Sequence, residues 1–316
     1  MLDTYLASTV DSMLTTTLSN YRQTMIDNIF DDFVVLWWFR EKGKVRYEDG
    51  GTSIIEHLLY EKSTAGGWYS GYEPLDVTPQ EGLRPAEFLW RQAAYSISIS
   101  RLEERQNSGK HRMINLLEAK TYQAENSIKD NIAQALFAAS RAAKAIETLA
   151  ALIDSSGTIG GIPRSTNSWW QSTETASGSF ASQGISDLRT LYNTISSSAG
   201  KDHPDLIMTT RAIYEYYENT LLPQVRYQSL DMANAGFESL RFKAADIVYD
   251  QYATSGVIYA LNSKYITLVI DKETDFVTTP FVKPANQDAK TAQILFMGNI
   301  TINNPRRLGK LTGITA

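Results

Sequence analysis

Leu2, Leu6, Val10, Met13, Thr17 and Tyr21, followed by Ile29 and Phe33, recur at three- and four-residue steps, the spacing that lines one face of a helix. The first thirty-odd residues therefore predict an amphipathic helix or a pair of helices with a Ser- and Thr-rich polar face. Nothing adjacent in sequence offers this stripe a partner, because the next stretch is VVLWWFREKGKVRYEDGG, an apolar run read as a strand. The helix is an arm that packs on something distant, within the chain or outside it.

From Gly50 to Gly82 the pattern changes to short strand-like pieces between Gly-rich turns. This predicts a long two-stranded excursion, and loops of such length are usually functional. Trp68, Tyr69 and Tyr72, set among Gly66, Gly67 and Gly71, predict a tip that docks onto another surface; the plainer alternative is a loop folded back on its own core. The return leg is clear, since Tyr95, Ile97 and Ile99 alternate with Ser96, Ser98 and Ser100, the period of a strand with one wet face.

Asn107 or Ser108 can then cap a helix whose stripe runs through Met113, Leu117, Ile128, Ile132, Leu136, Ala139, Ala143 and Ile146. One long helix is expected, with a break near Ala138 to Ala143. The stretch DSSGTIGGIPRSTNSWWQSTETASGSFASQG marks a passage into a different lobe. Beyond it SDLRTLYNTISSSAG reads as a helix and Leu206 to Met208 as a short buried strand. A further helix is capped by Thr209 or Thr210 and ends before Pro223. FKAADIVYDQ and GVIYALNSKYITLVID give strands, and AQILFMGNITI closes the chain as another, ahead of a proline-broken basic tail. A terminus so strongly patterned is tied into a sheet or against a neighbour. Helices and strands alternate without a βαβ rhythm, so the fold class is α+β.

Composition narrows the chemistry. The 316 residues include no cysteine, which excludes thiol nucleophiles, disulfides and Cys-ligated metals and fits folding in a reducing cytoplasm. The formal net charge of -5 argues against a protein that coats nucleic acid. No signal peptide and no membrane span is read from the sequence. His57, His111 and His203 stand far apart and in no ligand spacing, so no metal is expected. Ser198-Ala199-Gly200-Lys201 matches a nucleophile motif only in a Ser-rich loop. Gly157, Gly160 and Gly161 lack the ending and context of a phosphate loop and read as a hinge or turn. Asn299-Ile300-Thr301 forms a glycosylation triplet, but without a secretory signal it meets no transferase. The adjacent carboxylates Asp31-Asp32 and Glu103-Glu104 point to different faces and read as solvated charge. Arg306, Arg307 and Lys310 are the one basic cluster of note, a contact for a phosphate or an acidic neighbour. No catalytic residue and no cofactor is assigned, and the pattern favours a structural role over an enzyme.

The order of pieces resembles a tailed-bacteriophage major capsid protein of the Hong Kong 97 type. The stretches that carry the resemblance most specifically are SGKHRMINLLEAKTYQAENSIKDNIAQALF, DLIMTTRAIYEYY and GNITINNPRRLGKLTGI. The resemblance implies an N-arm at 1–36, a connecting strand at 37–43, an E-loop at 44–92 and a peripheral domain with its spine helix at 93–145. It further implies an axial domain at 146–264 and a return to the peripheral domain with the C-terminal strand at 265–316. The closing strand would lie beside Tyr95 to Ser100.

The function so implied is self-assembly into hexamers and pentamers of an icosahedral shell around double-stranded DNA, in a virion built in the host bacterial cytoplasm. The intersubunit candidates are Trp68, Tyr69, Tyr72, Leu6, Val10, Met13, Arg306 and Arg307. Arg306 and Arg307 would face a neighbouring subunit or the genome, with which contact is non-specific. Other implied partners are a separate scaffolding protein, a portal and decoration proteins, and no membrane. Some members join a loop lysine to a neighbour's asparagine; Lys62 lies in the loop, and no cross-link is expected of it. The alternatives are an encapsulin-type nanocompartment shell with the same fold, and a cytosolic hydrolase with its site around Ser165 and Ser168.

Overall fold

The structure, a computed structural model, describes residues 15–18, 21, 25, 33–74, 76–106, 110–197, 202–221 and 239–315. The run VVLWWFRE, expected as a strand, is the helix Val34–Glu41, with Val34, Val35, Leu36, Trp38 and Phe39 buried. The connecting strand expected at 37–43 is therefore a helix and a turn. An element buried on most of its surface shows neither period clearly, and a continuous apolar run fits a helix as well as a strand.

The chain then lays down β1 (Val45–Glu48), β2 (Ile54–Leu59), β3 (Leu83–Phe88) and β4 (Arg91–Ser100). The short helix Arg101–Gln106 and the long helix Lys110–Phe137 come next. The long helix stays unbroken and ends just before the expected break. After the one-turn helix Leu149–Leu152 come β5 (Thr158–Ile159), β6 (Ile162–Pro163) and β7 (Thr173–Ala176). The helix Ile185–Ile195, β8 (Leu206–Thr209), the helix Arg211–Thr220 and β9 (Leu240–Phe242) succeed them. The rest is β: β10 (Ala245–Tyr249), β11 (Ile258–Leu261), β12 (Ile266–Asp271), β13 (Val277–Thr278), β14 (Ala289–Ile302) and β15 (Gly309–Thr312).

Two sheets organise these strands. The first runs β1-β12-β14-β13, with β4 also paired to β14. Ten residues of β14 lie antiparallel to β4, from Ala289 opposite Ser100 to Gly298 opposite Arg91, and β12 takes the end of β14 from Gly298 to Ile302. The long helix packs on β4. Between them Ile97, Ile99, Ile294, Leu117, Ile128 and Leu136 form one apolar core with Trp38 and Phe39, while the serines of β4 take the outer face, as the alternation requires. The second sheet runs β7-β15-β11-β8-β10-β9. The helices Ile185–Ile195 and Arg211–Thr220 supply Leu188, Leu191, Ile195, Ile213 and Tyr217 to a separate core with Ile207, Ile247 and Leu311.

The C-terminus answers to both sheets. The expectation that the closing strand lies beside Tyr95 to Ser100 holds for β14, where Tyr95 faces Ile294. The rest of the returning segment 265–316 is shared between the two sheets. Pro305 begins a single 3-10 turn, Pro305–Arg307, that ends the first pairing. The chain then crosses to put β15 between β11 and β7, with Leu311 opposite Ile258 on one side and Thr175 on the other.

Candidate functional site

Two features are candidates for function, the hairpin β2–β3 and the segment that receives its base. In the hairpin Ile54 pairs with Phe88 and Leu59 with Leu83. Ile54, Leu58, Ala86 and Phe88 are buried on the body side, whereas Ile55, Leu59 and Leu83 point outward and are exposed. Beyond the strands the legs are held by the Tyr60 hydroxyl donating to the Glu81 carbonyl at 2.8 Å and by Thr64 Oγ1 donating to Gln80 Oε1 at 3.0 Å. Past those ties stand the aromatics: Trp68 is 105% exposed, Tyr72 106% and Tyr69 64%. The loop is not folded back on its own core. Three large rings at one tip, uncovered by any described residue, form the kind of apolar patch that marks an interaction surface.

The base of the hairpin sits on the segment from Thr158 to Trp170. Its key cation is Arg164, 1% exposed. The guanidinium donates to the carbonyls of Ala151 at 2.8 Å, Leu152 at 2.6 Å, Ser156 at 3.2 Å and Trp170 at 3.2 Å. The fork ties four carbonyls of the loop to one side chain. Burial lowers its pKa to about 10, against the pull of Asp154 and Glu174, so it stays charged at neutral pH. Trp170 Nε1 donates to the Ile159 carbonyl at 3.0 Å, and Gly157, Gly160 and Gly161 form turns here, as expected of them.

The expected basic cluster is dispersed. Lys310 is buried and lies 3.2 Å from Asp154 Oδ2 and 3.3 Å from Glu174 Oε1. Burial works against the Asp154 carboxylate, but hydrogen bonds from the Ser156 N–H and hydroxyl, together with Lys310, outweigh it and hold its pKa below the ordinary value. Arg307 Nη1 donates to the Ile195 carbonyl at 3.1 Å and so caps the end of the helix Ile185–Ile195. Arg306 alone of the three is exposed. The tail's positive charge thus serves mostly to pin β15 in place.

The remaining candidates are scattered. Leu6, Val10 and Met13 lie outside the described residues, as do Ser198 to Lys201. Leu18 and Met25 belong to the first core, and the Tyr21 hydroxyl donates to Glu125 Oε2 at 3.2 Å. Glu125 and Lys129 form a buried pair at 3.0 Å on the long helix. His57 is exposed on β2, and His203 stacks on Tyr192 at 6.2 Å. Asn299 is fully buried. Its Oδ1 accepts from the N–H groups of Glu147 and Ile300, each at 2.8 Å, and its Nδ2 donates to the Leu89 carbonyl at 2.9 Å. The apparent glycosylation triplet is a tie joining β14, the start of β4 and the segment after the long helix. Lys62, Ser165 and Ser168 are exposed. Among the described residues no three His, Asp or Glu gather into a group that could hold a metal, and no helix is long and apolar enough to cross a membrane.

No protein-family model and no curated protein matches the chain. Solved structures do. The capsid asymmetric unit of cyanophage A-1(L) is similar at 14% identity and a TM-score of 0.64, over 87% of this chain and 91% of that one. A structure from Mycobacterium phage Bobi is similar at 13% identity and a TM-score of 0.54, over 87% and 89%. The SrpI encapsulin complex of Synechococcus elongatus PCC 7942 is similar at 10% identity and a TM-score of 0.55, over 88% and 87%. With most of each chain covered in these matches, this chain has the Hong Kong 97-type capsid fold.

Proposed function

We propose that the chain is the major capsid protein of a tailed bacteriophage, a subunit that assembles with copies of itself into the hexamers and pentamers of a DNA-filled icosahedral shell. The single observation that carries this reading is the hairpin β2–β3, whose tip presents three exposed aromatics that no described residue covers, on a fold shared with capsid shells. A donated loop received by a different surface of the next copy is a heterologous contact, which repeats into closed rings. In this assignment the hairpin is the E-loop, the long helix is the spine of a peripheral domain and the six-stranded sheet is the axial domain. The first thirty-six residues would be its N-arm. A scaffolding protein, a portal and decoration proteins are the expected partners of such a subunit, with the virion as its place. The acidic balance, -5 formal charge, suits a wall that holds DNA without adhering to it.

One observation favours a second reading, an encapsulin-type nanocompartment: the likeness to the Synechococcus encapsulin is as extensive as the likeness to the phage structures. Expression of the chain alone, followed by light scattering and negative-stain microscopy, separates the two. Tubes or irregular shells that become regular with a scaffold are the expected result. Uniform small shells that load a peptide-tagged cargo would give the second reading instead. A monomer with and without candidate scaffolds would overturn both.

A further inference from the structure

The hairpin is not free to choose its angle. The Glu87 N–H of β3 donates to the Gly160 carbonyl at 3.0 Å, so the outer edge of β3 is taken by the β5–β6 turn rather than left open. Pro85 removes another donor from the strand. Gly160 has φ +58°, and a Cβ there would lie 2.9 Å from Ala86 Cβ and 3.3 Å from Phe88 Cζ. Only glycine permits both that conformation and that approach. Further along, the Tyr60 ring stacks on Trp169 with centroids 5.0 Å apart and planes 23° apart. Arg84 Nη1 donates to Asn167 Oδ1 at 3.4 Å. Beneath these contacts the segment is itself rigid, held by the buried fork of Arg164 and by the Trp170 indole.

We propose that residues 158–170 are a seat that fixes the direction in which the hairpin leaves the body, with Gly160 and Trp169 as its positioning residues, and that this direction selects the shell into which subunits close. The inference rests on the capsid reading for its second half only. Whether a heterologous contact closes, and into what, depends on the rotation between successive copies. A loop that swivelled at its base would present its tip aromatics over a range of angles and would close into a mixture. A loop locked within the subunit carries the angle into assembly already set. The seat touches the hairpin on three sides: by a backbone bond on β3, by a ring stack on the leg after β2, and by a side-chain bond to Arg84. Three such points leave no single axis for the hairpin to turn about.

The test is hydrogen exchange read by mass spectrometry on the dispersed full-length chain, with particle diameters measured after assembly, for wild type, Trp169→Ala, Trp169→Phe and Arg84→Ala. Loss of one ring stack should speed exchange about three- to tenfold at 54–60 and 83–88 while β8 and β11 keep wild-type protection. Phe should restore protection, and Trp169→Ala shells should lose their single diameter. Arg84→Ala, confined to an exposed bond, should give about a twofold effect at the same amides and decides the matter if Trp169→Ala does not fold. Unchanged exchange at the hairpin base, or acceleration spread equally to β8 and β11, would overturn the seat. Faster exchange with shells of unchanged diameter would overturn the link to shell choice. Failure of the wild type to assemble counts against the capsid reading and leaves the exchange result to judge the seat.

Discussion

Replacing Trp68 with Ala tests whether the hairpin tip works between subunits. A Trp side chain removes about 150–250 Å² from water when covered. Trp68 begins fully exposed, so at ~25 cal/mol per Å² complete cover would stabilise a contact by about 4–6 kcal/mol. Interfaces cover such rings incompletely and order the loop that carries them, and aromatic anchors commonly contribute about 2 kcal/mol or more. In the proposed shell each subunit would donate one tip and receive one, so the loss would enter once per subunit. With 1.4 kcal/mol per factor of ten, ~2 kcal/mol raises the concentration at which shells first form about 30-fold. The isolated subunit should not notice, because exposed substitutions change stability by about 0.5 kcal/mol or less. Light scattering across a dilution series gives the first quantity, and thermal melting of dispersed subunits the second. A threshold within twofold of wild type would refute the reasoning. So would a marked drop in subunit melting temperature, which would mean that the ring packs on its own chain.

The buried cations give two further outcomes. Arg164→Met keeps the stem and removes the fork from four backbone carbonyls; leaving buried acceptors without a donor costs about 1–3 kcal/mol, so the urea midpoint should fall below that of wild type, and a loss under about 1 kcal/mol would contradict the role given to Arg164. Asp154 has a folded-state pKa below its ordinary value, its hydrogen bonds from Ser156 and its contact with Lys310 outweighing burial. Its stabilising contribution is therefore complete above the unfolded value of about 3.9 and is lost as pH falls through the lower folded one. The stability gap between wild type and Asp154→Asn should narrow from about pH 6 to about pH 3, and a gap that stays constant in that series of melts would exclude the assignment.

What the sequence made legible was whatever one element displays by itself. The alternation of Tyr95, Ile97 and Ile99 with serines names β4 because one face is wet and the other dry, and the buried Ile97 and Ile99 confirm the side. The stripe of the long helix and the aromatic tip were readable for the same reason. The helix Val34–Glu41 was misread because near-complete burial erases the period that separates helix from strand. Arg164 was passed over, since an arginine in a Ser- and Gly-rich loop looks solvated until the carbonyls around it are known. Asn299 matched a motif that its burial makes irrelevant. Glu125 and Lys129 sit four residues apart in an ordinary helical spacing, and nothing local says that they are buried. In each miss the missing information was a partner more than a hundred residues away, or a fold of loop around a side chain.

The path of the tail bears on how such a subunit can assemble. A peripheral strand can often be freed without disturbing a core, but β14 and β15 cannot. β14 is bonded by β4, β12 and β13, and β15 lies inside the second sheet between β7 and β11, with Lys310 buried against Asp154 and Glu174. Freeing the tail would open both sheets at once and expose Ile294, Ile300 and Leu311 from two separate cores. β14 and β15 are therefore committed to the interior, and they couple the two sheets into one body. On the capsid proposal, contacts between copies have to come from elements that can be exposed without unmaking a core. Among the described residues the hairpin β2–β3 meets that condition best: it is attached at one end, seated on 158–170, and carries its largest apolar rings where the subunit has no use for them.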